Sequence, residues 1–396
     1  MVGSNVLFLP DAVRIARGVP YALALLAAMA VLSFASMVIL ARCCERTQCF
    51  SYRELWSRAL GERSLWVVDL SIAANAIIAC VSYCLLIERF LEVAVHGLLP
   101  GSAMAALPSA WNLAAVMALV VFPLCLMRDL GSLKATSSLG LGVTLVVAAF
   151  VAQDCFASAG ASLPVRGGLT SLEVLSTWDP VPGPHLFQAA ALLTNAFSVH
   201  YNVPKLYGEL APQERSVPAF RRVALATFAC ALATEVVFIL CGYGRFGGGV
   251  ESTLLASYPP GAASLGCWLL MAANLTFTYP IVFHSARASC LAFLEETREP
   301  RWLRSLATNR AGFTALLVAG TAVLGHGLTS LSFINALKGA LALSAIAFVF
   351  PGLLHLRLFA HERGGGAVGL WAGVSRALVL WGVLSCALGL AVLALG

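Results

Sequence analysis

Thr194-Asn195-Ala196-Phe197-Ser198-Val199-His200-Tyr201-Asn202-Val203-Pro204 interrupts an apolar stretch with polar side chains and closes on a proline. The stretch is reached past Pro180, Pro182 and Pro184. The start of the chain holds a second interruption, Gly3-Ser4-Asn5 followed by Pro10. Broken helices free backbone N–H and C=O groups, and at bilayer depth these are tolerated only where they meet other protein or line a cavity.

That the surroundings are lipid follows from composition. Of 396 residues, 60% are hydrophobic and 11% charged, with a mean hydropathy of +0.87. Soluble domains carry about 25% charged residues. Windows long enough to cross about 30 Å of hydrocarbon fall at 1–17, 19–41, 65–95, 111–127, 133–154, 185–202, 220–243, 261–293, 311–325, 328–359 and 370–395. The chain is therefore expected to be an all-α integral membrane protein of about eleven helices in a single domain, residues 1–396. Most of its twelve cysteines lie in apolar runs as small hydrophobes; Cys43, Cys44 and Cys49 cluster beside span 2, as reduced thiols or as palmitoylation sites.

Charge supplies a second reading. With the N-terminus cytoplasmic, the loops after spans 2, 4, 6, 8 and 10 hold nineteen Lys and Arg residues, and the opposite loops hold only Arg14, Arg17, Arg166 and Arg245. This alternation obeys the positive-inside rule and leaves the C-terminus extracytoplasmic. Basic residues form no block or aromatic-interleaved stripe, so a nucleic-acid partner has no support. The seven histidines are scattered without metal spacing, which argues against an enzyme.

Spans 1 and 6 are five spans apart, so the two breaks fall in corresponding places of two five-span units, about 1–155 and 185–361, with 370–395 as an extra helix. Paired interruptions of this kind mark inverted-repeat transporters, whose solute lies at the midplane between half-helix ends. Helix N-termini there face a carboxylate, and freed carbonyls face an ammonium group or a cation. The small residues Gly3 and Ser4 serve close helix packing equally well.

Several stretches resemble the amino acid/auxin permease family, in particular its sodium-coupled neutral amino acid and vacuolar branches. Met1-Val2-Gly3-Ser4-Asn5-Val6-Leu7-Phe8-Leu9-Pro10 is similar to the family's opening motif; Phe122-Pro123-Leu124-Cys125-Leu126-Met127-Arg128-Asp129-Leu130 to its span 4–5 connection; and Ala196-Phe197-Ser198-Val199-His200-Tyr201-Asn202-Val203-Pro204 to its span 6 signature. Thr276-Phe277-Thr278-Tyr279-Pro280 and Phe348-Val349-Phe350-Pro351-Gly352 resemble the ends of spans 8 and 10. The resemblance implies a five-plus-five inverted-repeat (LeuT-like) fold and secondary transport of amino acids, neutral ones by preference, coupled to Na+ or H+, with no cofactor, in a plasma or a vacuolar/lysosomal membrane. It places the substrate against Gly3, Ser4, Asn5, Asn195, Ala196, Phe197 and Ser198, and a coupling ion at Thr276 and Thr278. Two departures stand out. Asn5 replaces the family's second glycine, and the sequence begins part-way through the family's first helix, whose upstream half is expected to precede Met1. A sensor that binds an amino acid without moving it would need the same residues.

Ionisable groups within spans are functional candidates by default. Glu235, mid-span 7, is the candidate for a proton-linked carboxylate, with a structural hydrogen bond as the alternative. Lys338 is read as a stand-in cation, as a partner of Glu235 or Glu88, or as snorkelling outward. Arg89 is placed to pair with Glu88 or Glu92, Asp69 is read as interfacial, and His200 as a pH-sensing group or packing. Tyr83 on span 3 is a hydroxyl donor for a substrate carboxylate or a packed ring.

The topology carries its own test. Tags or single cysteines in loop 42–63 and after Leu395 are expected to be accessible from opposite sides of the membrane; access from one side refutes the span count.

Overall fold

The computed structural model describes residues 4–127, 134–160, 176, 178–179, 181, 183–296, 308–362 and 367–395. Among them every regular element is helical, and the only β pairing is an isolated bridge between Gly18 and Trp178. Among the described residues eight helices are long and apolar enough to cross a bilayer: Val19–Thr47, Glu62–Leu98, Ser109–Leu126, Ser138–Ser158, Val217–Gly249, Ala262–Glu295, Leu331–Leu358 and Gly369–Ala394. These carry spans 2, 3, 4, 5, 7, 8, 10 and 11. Span 9 is the shorter helix Arg310–Gly327, span 6 is broken, and the described part of span 1 is a 3-10 turn followed by the short helix Leu9–Ala16.

Spans 3 and 8 pack along their lengths and form the centre of the bundle, with span 9 against span 3. Gly325 sets that approach: a Cβ there would stand 2.6 Å from Cys84 Cβ and 3.0 Å from the Val81 carbonyl oxygen. Span 11 lies outermost, with Leu370, Leu380, Val383 and Leu384 exposed toward lipid.

Prolines in the spans leave carbonyls without their helical donor, and the fold answers this locally in span 10. Pro351 has no N–H for the oxygens four and five residues back. Those are Ala347, whose carbonyl accepts from the Ser36 hydroxyl, and Ile346, whose carbonyl accepts from Tyr52 at 2.9 Å. Two wide π-helical turns, Gly339–Leu343 and Ala345–Val349, precede the proline.

Tyr52 belongs to a helix inside what the sequence reads as loop 42–63. Tyr52–Leu60 starts at Ser51, whose side chain accepts from the Glu54 N–H, while Glu54 bonds back to the Phe50 N–H at 3.1 Å. This reciprocal cap holds a short amphipathic helix whose Trp56 meets Phe350 edge-on at 4.8 Å. Cys43 and Cys44 are fully buried beside it, which leaves Cys49 alone partly accessible for a palmitoyl chain.

Ion pairs and charged hydrogen bonds link neighbouring elements at both ends of the helices. At one end Arg17 meets Asp179 at 3.2 Å, Arg245 meets Asp154 at 2.8 Å, and His326 Nδ1 lies 2.8 Å from Glu88. The Val181 N–H and then Arg17 hold the Asp179 carboxyl below its ordinary range. At the other end Arg46 pairs with Glu362, and Arg287 donates to the Cys125 carbonyl and to Thr314. Asp69, near the start of the span 3 helix, is buried and salt-bridged to Arg53. Two expectations need correcting. Arg89 donates to the Thr329 carbonyl, because Glu88 is taken by His326 and by the Ser109 hydroxyl at 2.6 Å. Lys338 is buried and, among the described residues, has no ion pair with Glu235 or Glu88; nor does it reach the surface.

Gly325→Ala forces spans 3 and 9 apart and is expected to lower stability by about 1–3 kcal/mol. Gly320→Ala on the same helix meets nothing within 4 Å and is expected to be neutral or stabilising by up to about 1 kcal/mol. Thermal unfolding in detergent compares the two.

Candidate functional site

Span 6 runs as a helix over His185–Thr194, tightens into a 3-10 turn at Asn195–Phe197, and leaves helical geometry at Ser198 (φ −84°, ψ 75°) and Val199 (φ −127°, ψ 9°). A second 3-10 turn, His200–Asn202, leads into the short helix Val203–Gly208, with Pro204 in its first turn. Span 1 enters as a 3-10 turn, Ser4–Phe8, and becomes the helix Leu9–Ala16, with Pro10 in its first turn.

The two irregular segments meet. The Asn5 side-chain amide donates to the Asn195 carbonyl at 2.9 Å. The Asn195 amide in turn donates to the carbonyls of Ala191 (3.1 Å), Leu192 (3.0 Å) and Asn335 on span 10 (2.8 Å). Asn195 is fully buried, and its Oδ1 has no hydrogen-bond donor among the described residues. Span 10 comes close here because of Gly339, where a Cβ would stand 1.8 Å from the Ala191 carbonyl oxygen. Thus the N-terminal end of one helix, the C-terminal end of another and an acceptor without a donor share one place. Helix ends carry partial charges of opposite sign.

The other residues singled out from sequence divide. Gly3 lies outside the described residues, and Ser4 begins the span 1 turn. Ala196 is buried at the break, and Ser198 is half-buried where helical geometry stops. Phe197 is fully buried and stacks on Phe228 of span 7 (5.2 Å between ring centres, 8° between planes), so its ring packs the bundle. Tyr83 is half-buried on span 3. Thr276 donates to Ala272 at 2.8 Å and Thr278 to Asn274 Oδ1 at 3.4 Å. Both threonine hydroxyls thus bond within their own helix, and no hydrogen bond among the described residues joins them to the breaks. Pro280 withholds a donor from the Thr276 carbonyl, four residues back.

Glu235 is buried in span 7, with Oε2 unpartnered among the described residues. About two turns further on, Gly242 abuts Pro10 of span 1, where a Cβ would stand 2.7 Å from Pro10 Cγ. Lys338 sits next to Gly339 and is buried. His200 Nε2 lies 3.2 Å from the Ser33 carbonyl of span 2, a packing contact deep in the bundle.

One residue escaped the sequence reading. Asp11 is fully buried in span 1, pairs with Arg14 at 2.6 Å and accepts from the Ser332 hydroxyl of span 10. Its signal was available: a carboxylate one residue after Pro10, with an arginine three residues on.

Residues 1–395 match the family described as transmembrane amino acid transporter protein. Among curated proteins, the chain is 26% identical over 384 residues to Amino acid transporter AVT6E of Arabidopsis thaliana, covering 90% of this chain and 74% of that protein. It is 26% identical over 379 residues to Amino acid transporter AVT6B of the same plant, covering 90% and 80%.

The amide junction is testable by itself. Asn195→Ala removes the donor to three carbonyls and is expected to destabilise by about 1–3 kcal/mol; Asn5→Ala, half-buried, by about 0.5–1.5 kcal/mol. Unfolding midpoints equal to wild type in both would show that the junction does not hold the breaks together.

Proposed function

Because the chain belongs to the transmembrane amino acid transporter family, whose members are transporters and not enzymes, we propose that it carries amino acids, neutral ones by preference, across its membrane by alternating access around the breaks of spans 1 and 6. The observation that carries this reading is the junction of the two breaks through Asn5 and Asn195. A zwitterion matches that place. The carboxylate lies toward the N-terminal turn Ser4–Phe8. The ammonium group lies toward the C-terminal end of His185–Thr194, where Asn195 Oδ1 lacks a donor. The two units, about 1–155 and 185–361, move against each other, with the N-terminus cytoplasmic and the C-terminus extracytoplasmic.

Transport is coupled to protons through Glu235 in this proposal. A lone charge at that depth is expensive. A carboxyl that takes a proton with the substrate and releases it on the other side moves as a neutral group. The Glu235 oxygen without a partner and the contact of its helix with span 1 at Gly242 and Pro10 support this assignment. Thr276 and Thr278, with hydroxyls engaged in their own helix, are the alternative ion ligands.

Proteoliposomes containing the purified chain and a panel of labelled amino acids test the proposal. Uptake is expected to follow an imposed proton gradient, to persist when choline replaces sodium, and to lose its gradient-driven part in Glu235→Gln. Uptake that needs sodium and ignores the proton gradient moves the coupling to Thr276 and Thr278. Binding without uptake under every gradient makes the chain a sensor and overturns transport.

A further inference from the structure

We propose that the cleft at the inner ends of spans 2, 10 and 11 binds the headgroup phosphate of an anionic phospholipid from the inner leaflet. This rests on side chains remote from the two breaks and does not depend on the coupling ion.

The cleft, about 220 Å³, is lined by Arg42, His355, Phe359, Glu362 and Arg376, among others. Arg42 is half-buried, with its guanidinium 4.9 Å from the Trp371 ring centre and 5.6 Å from that of Phe359. Among the described residues, neither Arg42 nor Arg376 has an ion pair or a hydrogen bond to any acceptor. The one carboxylate among the lining residues, Glu362, is paired with Arg46. His355 is 2% exposed; its Nδ1 lies 3.0 Å from the Ser375 hydroxyl, and its Nε2 is buried with no hydrogen-bond partner among the described residues. When Ser375 donates to Nδ1, Nε2 carries the ring proton and is a donor. Two guanidinium groups that find no acceptor among the described residues therefore line one cleft, with the imidazole packed behind them and Glu362 committed to Arg46. A phosphate offers several acceptors, and Arg–phosphate hydrogen bonds are among the strong ones.

Depth and shape select a lipid. Residues 377–395 carry no charge and are about long enough to cross the hydrocarbon layer, which sets Arg376 at headgroup level, on the face rich in basic loops. Arg376 shares one helix stripe with Leu380, Val383 and Leu384, four, seven and eight residues on. All three are exposed. An acyl chain attached to a phosphate in the cleft lies along that stripe, whereas a free phosphate would use none of it. Trp371 sits where interfacial aromatics gather.

Native mass spectrometry of the purified full chain, titrated separately with phosphatidylserine, phosphatidylcholine and inorganic phosphate, tests this. One phosphatidylserine is expected to be retained in preference to phosphatidylcholine, and millimolar inorganic phosphate is expected not to displace it. Arg42→Ala and Arg376→Ala should each weaken retention about fivefold, and the pair about thirtyfold. Arg58→Ala with Arg63→Ala, on another part of the inner face, should leave it unchanged. Arg376→Ala, at an exposed position, carries the test if Arg42→Ala does not fold. Equal retention by the double variant, equal retention of phosphatidylcholine, or ready displacement by inorganic phosphate overturns the proposal, the last by showing a site for free anions.

Discussion

A hydrocarbon layer offers no hydrogen bonds, so each backbone carbonyl released from a helix must be met by a group the protein brings. Much of the internal polar chemistry of this chain discharges that obligation. Ser36 and Tyr52 serve the two carbonyls that Pro351 leaves, Arg287 serves Cys125 at the end of span 4, and the Asn195 amide adds a donor at the carbonyls of Ala191, Leu192 and Asn335. Irregular backbone is thereby confined to places where neighbouring helices supply donors, and the breaks in spans 1 and 6 are the largest of these. What distinguishes them from the repaired proline sites is Asn195 Oδ1, an acceptor without a donor among the described residues.

Charge obeys a second rule. Most ionisable side chains lie near the helix ends and pair across neighbouring segments on one side, as Arg17 does with Asp179 and Arg46 with Glu362. Asp11 is buried but shared between Arg14 and Ser332, so its charge is neutralised and hydrogen-bonded in place. Glu235 and Lys338 stand apart. Both are buried in the bundle, and neither has a salt bridge among the described residues. Side chains of that kind are costly to keep for packing alone.

The sequence made legible what depends on local composition. Apolar runs gave the helices, and Gly3-Ser4-Asn5 with Pro10 and Asn195–Ser198 with Pro204 gave the irregular segments at 4–8 and 195–202. Partnerships across the chain were not legible, because helix contacts are set by tertiary packing and not by spacing. Glu88 sits one residue from Arg89 yet bonds to His326, 238 residues away. Phe197 lies inside a binding motif by resemblance, but its ring points into the bundle against Phe228. The helix Tyr52–Leu60 was hidden by its polarity, although Ser51 and Glu54 spell a cap.

The two wide turns of span 10 have a consequence for how such a segment is read. Each π-turn accommodates about one residue more than an α-turn, and one residue rotates the following helix by about 100°. Span 10 contains two in succession, Gly339–Leu343 and Ala345–Val349, so its halves are out of phase with any single helical wheel. Before the turns, the Asn335 carbonyl is directed at span 6; within the second, the Ala347 carbonyl meets Ser36 of span 2, and just after it the Phe350 ring meets Trp56. An uninterrupted 3.6-residue period drawn through Leu331–Leu358 would therefore assign one end of the helix to the wrong neighbour. The phase slip is what allows one segment to serve two different walls of the bundle.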